Sequence, residues 1–401
     1  MILTMAWRNI WRNRTRSIVI MLSVAIGMLA GTVVLALYKG MMQGRVRTVI
    51  DTETAHLQLH HPAFSKDYHP SFVLPETDRF LSTLPGIIHV SHRSIVQGML
   101  VTPTGSAGVE IYGIIPEQEN PVSALDRKIT AGKSFSSGNS HEIIVGKKLA
   151  GKMKLKTGSK LVLTFTDSSN YLVSAAFRVC GLYQSANAPR DELMVYTPKA
   201  VLNELLLTGN SCHETAILLQ HDERLDSVQT ALKKAFPSLL VENWKEITPE
   251  TELMVKTVDE YSYIIMAIIL FALAFGVLNT MLMSVLERTR EIGMMMALGT
   301  SGTRIFLLIL AETLILTIAG TPAGLAAAYF ITGYFGKYGL DLSGMGEDMM
   351  ASFGYSTMIY PSFPGEKLSG IVIMIAATAV LSALLPALKA LRMQPVDSLR
   401  R

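Results

Sequence analysis

The chain has 401 residues, of which 49% are hydrophobic and 17% are charged. This composition is too apolar for an ordinary soluble protein and too polar for a chain that lies in a membrane throughout, so it predicts part bilayer and part aqueous domain. The net charge of +4 is small for this length, and the basic residues are dispersed outside the termini, which gives nucleic-acid binding little support.

Four apolar stretches are each long enough to cross a hydrocarbon core, which needs about 20 residues. They predict membrane spans over residues 17–38, 261–286, 305–334 and 368–388, with a short extracytoplasmic loop over 335–367. The first run is longer than the apolar part of a cleavable signal peptide, so we interpret it as a retained signal anchor.

Basic residues flank the first and last spans. They are Arg8, Arg12, Arg14 and Arg16 before the first span, and Lys389, Arg392, Arg400 and Arg401 after the last. Because Lys and Arg near span ends are retained in the cytoplasm, both termini are predicted to be cytoplasmic. Residues 1–16 would form an amphipathic N-terminal segment and residues 389–401 a cytoplasmic tail.

Residues 39–260 are then predicted to form one large domain outside the cytoplasm, which holds all nine histidines and both cysteines. Apolar and polar residues alternate over 55–60, 108–113 and 160–165, which predicts strands, whereas 147–153 and 225–236 have helical patterns. The predicted fold class is a membrane protein with four transmembrane α-helices and a large extracytoplasmic α+β domain inserted between the first and second spans.

This domain is predicted to have two lobes carried on helical stalks. Residues near 46–97 and 216–243 would form one lobe, and 99–206 an inserted, strand-rich lobe. The segments 39–47 and 249–260 stay compatible with a helix beyond the spans, and Pro249 suits a helix start. The alternative is that these segments are ordinary solvated helix ends.

Two motifs in this domain look like ligand sites but depart from them. Residues 131–134 end like a phosphate-binding loop, yet Arg127 stands where that loop requires glycine, so we interpret them as a surface turn. On a strand, His56 and His60 would lie about 13 Å apart, too far to share one ion. Together with His61 they are interpreted as solvated strand residues.

Catalytic motifs are absent from the sequence. Neither G-x-S-x-G nor H-E-x-x-H occurs, and Cys180 and Cys212 are too few and too far apart in sequence for a zinc motif. The sequence leaves open whether these two cysteines form a disulfide. No catalytic residue, metal ligand or cofactor is therefore predicted in this chain.

The predicted third span carries an ionisable residue and a small-residue motif. Glu312 is either a functional residue that faces the bundle interior or reaches for a partner, or an interfacial carboxylate near the cytoplasmic edge. Gly320 and Gly324 have the spacing that lets another helix approach closely, and Pro322 allows a kink.

A charged segment between the second and third spans cannot lie in hydrocarbon, so it must meet something in the cytoplasm. This segment, ERTREIGMMMALG over residues 287–299, resembles the coupling segment of the FtsX/MacB-type ABC transporter permeases. The stretches WRNIWRNRTR (7–16) and PVDSLR (395–400) are similar to that family's ends. IYGIIPE (111–117), EIIVGKKLA (142–150), FRVCGLY (177–183) and VYTP (195–198) look most like the lipoprotein-releasing LolC/LolE type.

The resemblance implies a non-catalytic permease subunit of the inner membrane that extracts lipoproteins from the outer leaflet by mechanotransmission. Its implied partners are a cytoplasmic ABC ATPase dimer that binds ATP and Mg, a second permease subunit (identical or different), and a lipoprotein or amphiphile substrate. A periplasmic chaperone or adaptor is an open further partner. Residues 287–304 would form the coupling helix, with ATPase coupling assigned to Glu287, Arg288, Arg290, Glu291, Gly293, Met296 and Leu298.

Acyl chains of a lipoprotein need an apolar lining near the outer leaflet. That lining is assigned to Val33, Leu37, Met41, Met254, Tyr261, Ile264 and Ile265, for which plain helix packing is the alternative.

Three other functions stay open. They are a MacB-like efflux permease for peptides, antibiotics or other amphiphiles, an FtsX-like signalling permease that activates an extracytoplasmic hydrolase, and a membrane enzyme, for which the sequence offers no site. One departure from the LolC type bears on this choice. Residues 166–174 are too short for the protruding hairpin of those subunits, which favours a LolE-like or homodimeric relative.

Overall fold

The computed structural model describes residues 2–12, 14–136 and 140–391. These residues divide into two compact units. The helical unit comprises the described parts of 2–42, 255–341 and 358–391, and the sheet unit comprises those of 43–254 and 342–357. The predicted tail beyond residue 391, with Arg392, Arg400 and Arg401, lies outside the described residues.

The α-helices, in chain order, are α1 (Ile2–Arg12), α2 (Arg14–Thr48), α3 (Phe64–Asp67), α4 (Asp78–Leu81), α5 (Pro116–Ser123), α6 (Leu125–Lys128), α7 (Lys147–Lys152), α8 (Ala188–Leu193), α9 (Lys199–Leu206), α10 (Leu225–Ala235), α11 (Trp244–Ile247), α12 (Pro249–Glu287), α13 (Thr289–Ala297), α14 (Gly302–Tyr338), α15 (Glu347–Ser352) and α16 (Leu368–Leu391). A π-helix, Val49–Thr54, follows α2 directly.

Four of these helices, α2, α12, α14 and α16, are long and apolar enough to cross a membrane. Each contains one of the predicted spans, because a long apolar run has no other way to hide both its side chains and its backbone polar groups. The helices extend beyond the predicted spans on the side of the sheet unit. Helix α2 continues to Thr48, and α12 begins at Pro249, a residue suited to a first helical position.

Helices α14 and α2 meet along the predicted small-residue motif. A methyl group at Gly320 would lie 2.6 Å from the carbonyl oxygen of Met21. One at Gly324 would lie 2.8 Å from Cβ of Met28 and would also press on the carbonyl oxygen of Ala25. Only glycine fits at these two positions, so the prediction of close helix approach is confirmed.

The β-strands are β1 (Leu57–His60), β2 (Ile87–Thr102), β3 (Gly105–Ile114), β4 (Ile129–Gly132), β5 (Glu142–Gly146), β6 (Lys160–Thr166), β7 (Leu172–Tyr183), β8 (Met194–Pro198), β9 (Glu214–Leu219), β10 (Leu240–Asn243), β11 (Leu340–Asp341) and β12 (Met358–Ile359). The large sheet has the order β10-β1-β9-β2-β3-β8-β5-β7-β4, and β6 pairs with both β2 and β7. Pairs β3–β8 and β5–β7 are parallel, and the other pairs of this sheet are antiparallel.

The sheet unit has separate apolar cores along this sheet. One core draws on both ends of the segment, from Val49 to Leu81 and from Cys212 to Trp244. Another is built from Val96 to Leu206, where β2, β3 and β5 to β8 pack against α7 and α9. The α+β architecture inserted between the first two spans is as predicted.

The interpretation of the strand histidines as solvated is wrong for two of them. His56 and His60 are 7% and 8% exposed. His60 is the last residue of β1, whose four residues are all buried, and His56 directly precedes this strand. His56 Nε2 lies 2.8 Å from Asp222, and His60 Nε2 lies 3.0 Å from Gln58. Within the described ranges no group of three His, Cys, Asp or Glu residues could hold a metal ion.

Two further interpretations change in the structure. Ala131 and Gly132 lie in β4, paired with β7, so the interpretation of 131–134 as a surface turn is wrong for its first half. Cys180 and Cys212 are both free thiols in the structure, so they form no disulfide with each other.

A buried histidine gives the sheet unit an acid-sensitive stability. The backbone N–H of Ile95 donates to His213 Nδ1 at 3.0 Å, and His213 Nε2 lies 2.9 Å from the carbonyl oxygen of Pro70, so the neutral ring fits both contacts. Burial lowers the pKa of His213 to about 4, against 6.5 when the ring is free. The unfolded chain then binds the extra proton between these pH values, and the folded chain does not.

We therefore expect the sheet unit to lose about 3 kcal/mol of stability as the pH falls from about 6.5 to about 4. Urea unfolding of the full chain in detergent, followed by the fluorescence of Trp244 in a Trp7→Phe/Trp11→Phe background, measures this loss. His213→Gln should flatten the pH dependence in that window, whereas His89→Gln, at an exposed histidine, should leave it as in the parent chain. An unchanged slope in His213→Gln would contradict the assignment.

Candidate functional site

The predicted coupling segment folds as a short helix between two membrane helices. Helix α13 begins directly after α12, with Arg288 between them, and ends at Ala297. Gly299 has φ +88°, and the N–H groups of Gly299 and Thr300 donate to the carbonyl oxygens of Met296 and Met295 at 3.0 and 2.9 Å. A glycine in the left-handed region is the usual end of a helix, so the sequence itself limits α13 to a few turns.

The two faces of α13 differ in burial. Ile292 and Gly293 are buried against the helical unit, and Met296 packs on its core. The opposite face exposes Met294 by 50% and Leu298 by 87% of their surface. Large apolar side chains so exposed at a helix end, with charges beside them, are typical of a protein interaction surface.

The predicted coupling residues accordingly fall into three groups. Glu287, Arg290 and Leu298 are exposed, Arg288, Glu291 and Met296 are half-buried, and Gly293 is buried. The exposed group is open to a partner, although Glu287 also pairs with Arg16 of its own chain, and the others pack within the helical unit.

A network of ion pairs holds α13 to the helices around it. Arg288 Nη1 donates to both carboxylate oxygens of Glu312 at 3.2 Å, and its Nε donates to Glu291 at 3.2 Å. Asn9 Nδ2 donates to Glu312 at 2.6 Å, and Arg12 pairs with Glu291. Helices α1, α13 and α14 therefore meet at one cluster of charges.

A second contact joins the end of α12 to the start of α2. Arg16 pairs with Glu287, and its Nη1 donates to the hydroxyl of Ser284 at 3.1 Å. The arginines before the first span predicted an orientation and carried part of the family resemblance. Their pairing with Glu287 and Glu291 could not be read from the sequence, because 279 positions separate Arg12 from Glu291.

Glu312 has partners within its own chain, namely Arg288 at the start of α13 and Asn9 of α1. It is 6% exposed, and a lone carboxylate at such a site would be costly, so Arg288 and Asn9 satisfy it. Because removal of either member of a buried charge pair leaves the other uncompensated, α13 and α14 are held in a fixed arrangement.

The residues assigned to a substrate lining differ in burial and in the unit to which they belong. Val33, Leu37 and Met41 lie half-buried along one side of α2, and on α12 Tyr261 and Ile264 are exposed. Ile265 is half-buried, and Met254, exposed by 37%, belongs to the sheet unit.

A cavity of about 270 Å³ in the helical unit has a different lining. Its wall includes Leu35, Tyr263, Met266, Ile371 and Met374, and the assigned residues are not part of it.

Two family models match the chain and cover most of it. The MacB-like periplasmic core domain matches residues 17–235, more than half of the chain, and the FtsX-like permease C-terminal domain matches residues 263–395. The first covers nearly all of α2 and most of the sheet unit, and the second covers most of α12 together with α13, α14 and α16.

Several curated proteins are similar over nearly the whole chain. The pyoverdine export ATP-binding/permease protein PvdT of Pseudomonas entomophila is 24% identical over 98% of this chain, which spans 58% of the length of PvdT. The ABC transporter permease MJ1507 of Methanocaldococcus jannaschii is 24% identical and covers 100% of this chain and 97% of its own length. The lipoprotein-releasing system transmembrane protein LolC of Xylella fastidiosa is 21% identical over 94% of this chain and 92% of its own length.

The four membrane helices, the inserted α+β domain and the helix between the second and third spans lie largely within the residues that the two matched models cover together. The resemblance to the FtsX/MacB type is confirmed: the chain belongs to the MacB/FtsX family of ABC transporter permeases.

Proposed function

We propose that this chain is the non-catalytic membrane subunit of a transporter whose ATP is hydrolysed by a separate cytoplasmic ATPase dimer. The observation that carries the proposal is α13, which exposes Met294 and Leu298 while Arg288 ties it to Glu312 of α14. A surface that binds a partner on one side and is fastened to the membrane helices on the other can transmit a force. ATP and Mg would be bound by the ATPase, not by this chain.

The proposed work is the extraction of lipoproteins from the outer leaflet of the inner membrane, with both termini in the cytoplasm. Similarity to LolC along nearly the whole chain supports this choice. Each CH₂ group of an acyl chain contributes about 0.8 kcal/mol to membrane anchoring, so extraction requires an energy source such as ATP. A second permease subunit would complete the lining that Val33, Leu37, Met41, Met254, Tyr261, Ile264 and Ile265 begin.

Export of a smaller amphiphile is the second candidate. PvdT is named for pyoverdine export and is similar over 98% of this chain. The turn between β6 and β7 supports this alternative as well, because only residues 167–171 separate the two strands. A hairpin this short leaves little surface for recruiting a lipoprotein chaperone.

Mass spectrometry of the complex, purified with its ATPase and trapped without ATP, separates the candidates. Acylated N-terminal peptides that copurify and leave on addition of ATP are the expected result for lipoprotein extraction. A small amphiphile or peptide in their place would move the assignment to export. An empty complex that still hydrolyses ATP would favour a signalling permease.

The proposed orientation predicts the reactivity of two new cysteines. In a background where Cys180 and Cys212 are alanine, Ser169→Cys lies in the exposed β6–β7 turn and Ser301→Cys in the exposed segment before α14. An impermeant maleimide added to intact spheroplasts should label position 169 and leave 301 unlabelled, whereas lysed cells should show both. Labelling at 301 alone in intact cells would reverse the orientation.

A further inference from the structure

The first membrane helix ends inside the sheet unit in an unusual conformation. The π-helix Val49–Thr54 extends α2, and the N–H of Ala55 donates to the carbonyl oxygen of Ile50 at 3.0 Å. Ala55 itself has φ 59° and ψ −167°, a region that residues with a side chain rarely occupy. Single π-turns and strained residues of this kind concentrate at functional sites, because the surrounding structure must hold them in place.

A buried ion pair stands beside this turn. Arg45, on the last turns of α2, donates from Nη1 to Oε1 of Glu53 at 2.6 Å, and the two residues are 8% and 5% exposed. The same carboxylate oxygen accepts from Nδ2 of Asn187 at 2.7 Å, and Nη2 of Arg190 donates to the backbone carbonyl of Glu53 at 3.2 Å. Asn187 caps α8, so the pair fastens the end of the first helix to α8.

A third segment reaches the same pair. Residues 342–357, between α14 and α16, were predicted to be part of a short loop, but they contain α15 and belong to the sheet unit. Helix α15 packs on α8. Gly354, at φ +71°, lies flat against the guanidinium of Arg45, and a methyl group there would be 2.9 Å from Cζ and Nη1.

Arg45 has an unused donor at this contact. Within the described ranges, the buried Nε of Arg45 has no hydrogen-bond acceptor. A buried donor of a charged group is costly to leave unpaired, so the guanidinium of Arg45 is not fully satisfied where it meets Gly354.

We propose that Arg45 and Glu53 form a coupling joint. By this we mean an ion pair that is displaced when either of two segments of the chain moves, and that passes this displacement to α8. One route is α2 itself, which continues into the π-turn. The other is the segment 342–357, which is covalently joined to α14 and α16. This inference rests on the proposed function, because it concerns how force generated at α13 is used in the sheet unit.

The joint is tested in the complete complex with its ATPase, in nanodiscs. Spin labels at Ser169→Cys and Thr300→Cys, again in the cysteine-free background, report one intrachain distance by pulsed electron paramagnetic resonance, with and without ATP and vanadate. Arg45→Met should lose most of the ATP-dependent shift in this distance while basal ATP hydrolysis stays within about twofold of the parent, since α13 is untouched. Glu53→Gln keeps an acceptor for Arg45 and should retain more of the shift.

Two further variants make the result decisive. Gly354→Ala leaves the ion pair in place but pushes the segment 342–357 away from it, so it too should reduce the shift even if Arg45→Met fails to fold. Lys233→Met removes an ion pair of the sheet unit that is half exposed and distant in sequence, and it should keep the full shift.

If the spin-label distance in the parent complex does not change with ATP, both the proposed function and the coupling joint are ruled out. A normal shift in the parent that persists unchanged in folded Arg45→Met and Gly354→Ala would overturn the joint alone. Loss of the shift in both variants, with the Lys233→Met control intact and unfolding temperatures near that of the parent, supports it.

Discussion

Arg93→Met is expected to destabilise the sheet unit by about 3–5 kcal/mol, which is the range for removing one member of a buried charge cluster. Arg93, on β2 and 5% exposed, donates to both carboxylate oxygens of Glu119 at 2.7 and 2.8 Å and to Glu214 at 2.7 Å. The variant would leave two buried carboxylates without their cation, and methionine supplies no donor for either.

The pH dependence identifies the mechanism of this loss. Burial alone would raise the pKa of the Glu119 carboxyl, but Arg93 and Ser91 lower it below its usual value. Without Arg93 the burial effect would dominate and raise that pKa, so protonation at low pH should relieve part of the cost. Unfolding followed by Trp244 fluorescence should show a smaller difference between variant and parent at pH 5 than at pH 7.

Lys233→Met is the matched control for Arg93→Met. Lys233 and Glu246 lie 3.6 Å apart with about half of each side chain exposed, and exposed pairs of this kind contribute about 1 kcal/mol or less. If Arg93→Met and Lys233→Met lower the free energy of unfolding equally, then burial is not the reason that the Arg93 cluster stabilises the sheet unit.

Glu287→Lys/Glu291→Lys is expected to weaken binding of the ATPase about tenfold or more, which corresponds to at least about 1.4 kcal/mol. Each new lysine would face an arginine of this chain, because Glu287 pairs with Arg16, and Glu291 pairs with Arg12 and Arg288. Repulsion in place of these pairs would shift α13 and reverse the charge that it presents. Copurification of the ATPase from detergent and ATP hydrolysis in nanodiscs measure the effect.

The control for this charge reversal lies on the same helix. Glu250→Lys/Glu260→Lys makes the same change in net charge at exposed positions of α12 near its start, and it should leave ATPase binding as in the parent. Unaltered binding and hydrolysis in Glu287→Lys/Glu291→Lys, with the sheet unit folded, would remove α13 from the coupling role.

The membrane helices could be predicted from sequence because an apolar run of that length has few alternatives in water. The contacts that organise them could not. Arg16 and Glu287 are far apart in the chain, and only the packing of α2 on α12 brings them together. Likewise, the alternating pattern around His60 predicted a strand with one solvated face, whereas all four residues of β1 are buried, so both of its faces are covered.

The segment 342–357 marks a different limit of sequence reasoning. Its glycines, serines and methionines have no helical or strand period, so it was predicted to be part of a loop. Its role depends on Gly354, whose missing side chain matters only because Arg45 occupies the space beside it. A glycine of this kind is indistinguishable in sequence from one in an ordinary turn.

The glycine contact between α14 and α2 determines the separation of these two helices. At Gly320 and Gly324 a methyl group would already meet the backbone of α2, on successive turns. A larger residue at either glycine would therefore push α14 away from α2 and open the interface between them. These two positions decide how closely the third membrane helix can pack on the first.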